Sequence, residues 1–166
     1  MSILIAVPIL GALLILQTAI LNQIPLLHGT SDLVMLALVA WGLQKRVSTA
    51  WAWGIIGGLL VGYVSAVPMM VYLVGYLVAV GIALVLRQRI WNVPLLAMVV
   101  ATFLSTLVVQ GLTLLTLRLT DVPLAIGVSI NQIVLPSLLL NMILALPFFI
   151  AFGDLANLLY PETLEM

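Results

Sequence analysis

Across 166 residues, 65% are hydrophobic and only 6% charged, and five basic and five acidic side chains cancel to a formal net charge of zero. Mean hydropathy is +1.38. About a quarter of the residues of soluble globular chains are charged, so this composition excludes a water-soluble domain; the balanced charge offers no basic surface for nucleic acid, and the absence of cysteine excludes disulfide scaffolding and thiolate metal sites.

A spanning helix needs about 20 apolar residues, and irregular backbone cannot face lipid, so each apolar run is expected to be a helix. Six such runs cover residues 3–21, 33–43, 49–64, 69–86, 94–117 and 130–152. They predict an all-α, six-helix membrane protein in which residues 1–166 form one integral domain. The first run follows Met1 and Ser2 with no positive stretch before it, which reads as a retained helix rather than a cleaved signal. The second run is the anomaly. As a helix, residues 33–43 would rise only about 16 Å against a hydrocarbon core of about 30 Å. Either it borrows Thr30, Ser31, Asp32 and Gln44 while neighbours shield its ends, or the bilayer thins. A short helix can also mark a transporter cavity; no matching broken segment lies in the other half, which favours the structural explanation.

The third run places Ala50, Gly54, Gly58 and Gly62 at every fourth position, with Gly57 beside them. Such a face lets another helix approach closely, since packing contacts rather than water exclusion hold helices together in lipid. Packing within the bundle is the favoured use of this face, and contact with a separate protein the sharper one. Gly75, Ala79 and Ala83 repeat the pattern weakly in the fourth run.

The fifth run carries Thr102, Thr106, Gln110 and Thr113 as a polar stripe. Threonines can bond back to their own helix, but the Gln110 amide needs a partner, which favours an interhelical hydrogen bond over a ligand contact. The sixth run opens with Asn131 and Gln132 and contains Pro136, Asn141 and Pro147. Its two prolines predict bends. Gln132 is expected beside the carbonyl that Pro136 leaves without a donor. Asn141 is expected deeper in the bundle, as a structural amide that fixes helix register.

Lys45, Arg46, Arg87 and Arg89 fill two gaps between runs. Basic residues collect in cytoplasmic loops, so with six crossings both termini are expected inside and Asp32, Arg118 and Asp121 outside. Trp41, Trp51, Trp53 and Trp91 then fall near the inner interface and read as an aromatic belt. A lone His28 is poor ground for metal or acid–base chemistry, and no carboxylate, serine or lysine has a base partner at membrane depth. No catalytic residue, cofactor or metal site is expected.

Three stretches then bear on family. Ser31-Asp32-Leu33 opens the second run. Gly54-Ile-Ile-Gly57-Gly58-Leu59-Leu60 is followed by Ser65 and Pro68. Pro136-Ser137-Leu-Leu-Leu-Asn141 precedes Pro147. In order and spacing they resemble the rod shape-determining protein MreD family: its Pro-Asp/Asn-Leu opening, its glycine-rich stretch with a Ser-x-x-Pro turn, and its closing helix. Gly62 stands where the family often has an acidic residue, so any role of that carboxylate does not carry over. Met69-Met70 replaces a common Leu-Gly pair. The resemblance implies a non-catalytic subunit of the bacterial inner-membrane elongation machinery that builds the lateral cell wall, bound to MreC near RodA and its transpeptidase partner. The implied contacts are Gly54, Gly58, Gly62 and Asn141, and Gly58→Leu is expected to abolish MreC copurification without unfolding the bundle. Size and helix count also resemble the substrate-binding S-component of energy-coupling-factor vitamin transporters. Ala6, Ala12 and Ala19, however, lack that family's Ala-x-x-x-Ala spacing on the first helix. The two families can share a fold without sharing a function.

Overall fold

Every residue of the shortest apolar run, Leu33–Leu43, is buried. The computed structural model describes residues 2–19, 29–89, 93–120 and 126–161. The expectations for His28, Trp91 and Asp121 lie outside the described residues, which are almost wholly helical. In chain order the helices are α1 (Ser2–Ala19), α2 (Leu33–Leu43), α3 (Ala50–Val64), α4 (Met69–Arg89), α5 (Pro94–Leu119), the short α6 (Ile126–Ser129), a π-helical turn over Ile130–Val134, and α7 (Leu135–Leu159). By length and composition, three segments can cross a membrane: Met69–Arg89, Pro94–Leu119 and Ile130–Leu159. Ile3–Ala19, Leu33–Leu43 and Ala50–Val64 are shorter apolar helices.

The anomalous helix α2 is the axis of the bundle, touched by α1, α3, α4, α5 and α7. Being surrounded by helices on all sides, it has no polar face, and a uniformly apolar helix is what such a position requires. The outer helices turn Leu4, Ile15, Tyr63, Val85, Leu139 and Ile143 outward, an apolar exterior that water would not tolerate but lipid does.

Gly54, Gly58 and Gly62 are buried against α4. A Cβ at Gly58 would lie 2.7 Å from the Leu73 Cα, and one at Gly62 would lie 2.9 Å from the Met69 Cα. Gly54 faces the Val80 side chain, and Gly57 turns to Leu38 and Val34 of α2. The expectation that Gly58→Leu leaves the bundle intact is therefore corrected: the new side chain would meet α4 backbone.

Two further expectations are corrected. Trp41 and Trp53 are 0% exposed and stack at 4.4 Å between ring centroids, with Phe152 edge-on to both at 6.4 and 6.2 Å. They form an aromatic core rather than a belt, and of the described tryptophans only Trp51 is exposed. Gln132 is exposed: it stands nine residues before Asn141, about half a turn away round a helix of 3.6 residues per turn, within a π-helical turn closed by the Leu135 N–H on the Ile130 carbonyl. Val134, Pro136, Ser137 and Asn141 face inward instead. Beyond that turn the helix continues unbroken through Pro147.

Candidate functional site

The first N–H groups of a helix have no intrahelical acceptor, and a helix that starts inside a bundle cannot take them from water. α2 starts in such a place. Thr106, which the α2 entrance reaches through Asn141, is the thirteenth of the 26 residues of α5.

Around that start the neighbouring helices converge. The Asp32 carboxylate caps α2, accepting the Met35 N–H at 2.9 Å. Both of its oxygens also receive the Tyr76 hydroxyl of α4, each at 2.8 Å. Accepting on both oxygens suits an ionised carboxylate, and a negative charge at a helix N-terminus is favourable. From α1, the Gln17 Oε1 accepts the Leu33 N–H at 2.9 Å. From α7, the Ser137 Oγ accepts the Thr30 N–H at 3.0 Å.

Asn141, also on α7, is the hub. Its Oδ1 accepts both the Ser31 hydroxyl and the Asp32 N–H at 2.9 Å, and its Nδ2 donates to the Thr106 hydroxyl of α5 at 3.1 Å. Ser31, Thr106, Ser137 and Asn141 are all buried. Gly29 makes the approach possible, since a Cβ there would sit 2.5 Å from the Pro136 Cβ and 2.7 Å from the Ser137 nitrogen.

The opposite end of α2 is closed by the opposite charge. The Arg87 guanidinium, in the last turn of α4, donates to the carbonyls of Gln44 and Val47 at 2.8 and 2.9 Å. Arg46 donates to the Tyr160 carbonyl beyond α7 at 3.1 Å. The basic residues that mark one face of the membrane in the sequence thus also tie together one end of the bundle.

Of the residues singled out from sequence, Asn141 and Thr106 come together here. Gln110 does not: it is half-buried one turn beyond Thr106. Thr113 and Thr116 bond back to the carbonyls of Val109 and Leu112. The Thr102 and Ser105 hydroxyls are buried and have no hydrogen-bond partner among the described residues, so bonding back to the helix serves only part of the stripe. Gln17, Asp32 and Tyr76 were not foreseen as site residues. Gln17 beside Thr18, and Tyr76 one turn after Tyr72, are polar groups in apolar runs, and that is the available signal.

Among the described residues, no group of three or more His, Cys, Asp or Glu could hold a metal. What the arrangement does chemically is supply acceptors for backbone N–H groups at the start of α2 and a hydroxyl donor for the one carboxylate among them. Comparison with family models, curated proteins and solved structures finds no match to this chain.

Proposed function

We propose that the chain is a non-catalytic subunit of the bacterial cell-elongation complex, a six-crossing inner-membrane scaffold that binds MreC near RodA and its transpeptidase partner. One observation carries the reading. Two of the three stretches that resemble the MreD family, the first and the last, are distant in sequence yet bonded in space, with Ser31 and Asp32 held by Asn141 and the adjoining Thr30 by Ser137. Residues that build a shared frame are the ones a family of scaffolds needs to keep.

The glycine face is occupied by α4, so the MreC contact belongs elsewhere. A furrow of about 800 Å³ runs along α4 from Val74 past Val78, Gly81 and Val85 to Gln88, walled by Trp51 of α3 and Leu104 of α5. At 1.5 Å per residue it is about 20 Å long, most of the hydrocarbon thickness and parallel to any crossing helix. A Cβ at Gly81 would meet only the Trp51 ring, at an ordinary 3.5 Å, so Gly81→Leu starts from an unstrained Cβ and places its side chain in the furrow. The expected outcome is a folded variant that no longer copurifies MreC, and rounding of rod-shaped cells when the protein is depleted. Unaltered rods on depletion would refute the function, and retained MreC with Gly81→Leu would refute the furrow.

A second reading, the vitamin-binding S-component, is favoured by a polar pocket of about 240 Å³ lined by Gln17, Thr18, Thr30, Ser65 and Tyr72. A vitamin at a hundred times its Kd would add about 2.7 kcal/mol of stability. A thermal-shift screen reads that directly.

A further inference from the structure

At the basic end of the bundle, a pocket of about 220 Å³ opens between the turn after α2 and the facing ends of α5 and α7. Its polar lining is Gln44, Lys45, Arg46 and Asn157, all side chains able to donate hydrogen bonds; Pro94 and Phe149 line its apolar side. The turn is held from two sides. Arg87 grips the carbonyls of Gln44 and Val47, and Arg46 is itself anchored on the Tyr160 carbonyl, so the backbone of the turn and the Arg46 guanidinium are held in place. Leu95, Leu96 and Ile150 on the adjoining helices are exposed apolar residues, which continues the apolar wall into the lipid-facing surface.

Donors over an apolar floor at the rim of a bundle match a phosphate that carries acyl chains. Arginine offers five donors in a fixed fork, and basic pockets between helices on the cytoplasmic side recognise anionic headgroups. We propose that this pocket binds the phosphate headgroup of an anionic phospholipid, with the acyl chains leaving along α5 and α7. The proposal rests on the orientation given above, in which this end faces the cytoplasm.

The test measures lipid binding to the purified full-length chain in detergent by native mass spectrometry, with phosphatidylglycerol, phosphatidylcholine and inorganic phosphate as probes. Phosphatidylglycerol is expected to bind more tightly than phosphatidylcholine, and inorganic phosphate is expected not to displace it. Each basic side chain near an anionic headgroup is worth about fivefold in affinity, so Lys45→Gln should weaken phosphatidylglycerol about fivefold and the K45Q/R46Q pair more than tenfold. Arg89→Gln, at the same end but not among the pocket's lining residues, should leave it unchanged.

Equal binding of the two lipids overturns the proposal. So does an Arg89→Gln loss as large as that of Lys45→Gln, which would mean diffuse surface charge. Displacement by phosphate alone would make the ligand a free anion. Binding in detergent has no sidedness, so failure of the lipid preference and failure of the orientation are separate results.

Discussion

Asn141 concentrates three hydrogen bonds on one amide. Replacing it with leucine keeps the volume close but strands the Ser31 hydroxyl, the Asp32 N–H and the Thr106 hydroxyl. Unmade buried bonds cost about 1 to 3 kcal/mol each, although side-chain bonds between membrane helices average nearer 0.6 kcal/mol. Asn141→Leu should therefore lower the unfolding free energy by roughly 2 to 4 kcal/mol in a detergent titration. Tyr76→Phe removes only the hydroxyl from Asp32 and should cost about 1.5 to 3 kcal/mol, the range for a bond to a charged group. A loss below about 0.5 kcal/mol for both would mean that the network does not hold the start of α2. The sequence pointed to Asn141 because an amide in an apolar run must find partners. It gave no such warning for Asp32, since a carboxylate between two runs reads as a loop residue in water. Only the neighbours contributed by α1, α4 and α7 reveal that the loop lies inside the bundle.

At the scale of elements, regular glycine spacing announced a close helix approach but could not name the helix that comes close. The Cβ geometry answers that, and it separates glycines that look alike in sequence. Gly58→Ala would press a methyl group to 2.7 Å from the Leu73 Cα, and since backbone cannot step aside cheaply, the expected cost is about 1 to 3 kcal/mol. Gly111→Ala on α5 meets nothing within 4 Å and removes a flexible residue from a helix interior, so it should be neutral or stabilising by about 0.5 to 1 kcal/mol. Thermal unfolding of the two variants side by side measures the contrast; equal behaviour would deny that α3 and α4 pack through their backbones. The length of α2 was legible as an anomaly, and its cause was not. A helix too short to span becomes reasonable once Gln17, Asp32, Ser137 and Asn141 satisfy the start and Arg87 closes the end. The π-helical turn was illegible for a different reason. One extra residue in a turn leaves no mark on composition, yet it sets the buried Val134 five residues after the buried Ser129 rather than three or four.

Across the whole molecule, the distribution of polar groups is the reverse of a soluble protein's: acceptors and hydroxyls gather round the central helix while leucine, isoleucine and valine cover the outside. Tryptophan was misread at this scale because a belt is defined by depth across the membrane, and depth does not say whether a ring points outward or, like Trp41 and Trp53, into the core. The same distribution makes sidedness testable. The turn between α2 and α3 and the turn between α3 and α4 stand at opposite ends of α3, and each offers an exposed small residue, Ser48 in the first and Ala66 in the second. With no native cysteine in the chain, single replacements report cleanly. The proposed orientation follows from Lys45 and Arg46 in the first turn and Arg87 bonded to it, because basic residues resist transfer across the bilayer. Ala66→Cys should react with an impermeant maleimide in intact spheroplasts. Ser48→Cys should react only after the membrane is opened. The opposite pattern would invert the molecule, placing the start of α2 on the cytoplasmic side and the basic pocket beyond the reach of inner-leaflet lipid. Labelling of both residues from outside would mean that α3 does not cross at all, and the six-crossing arrangement would fall with it.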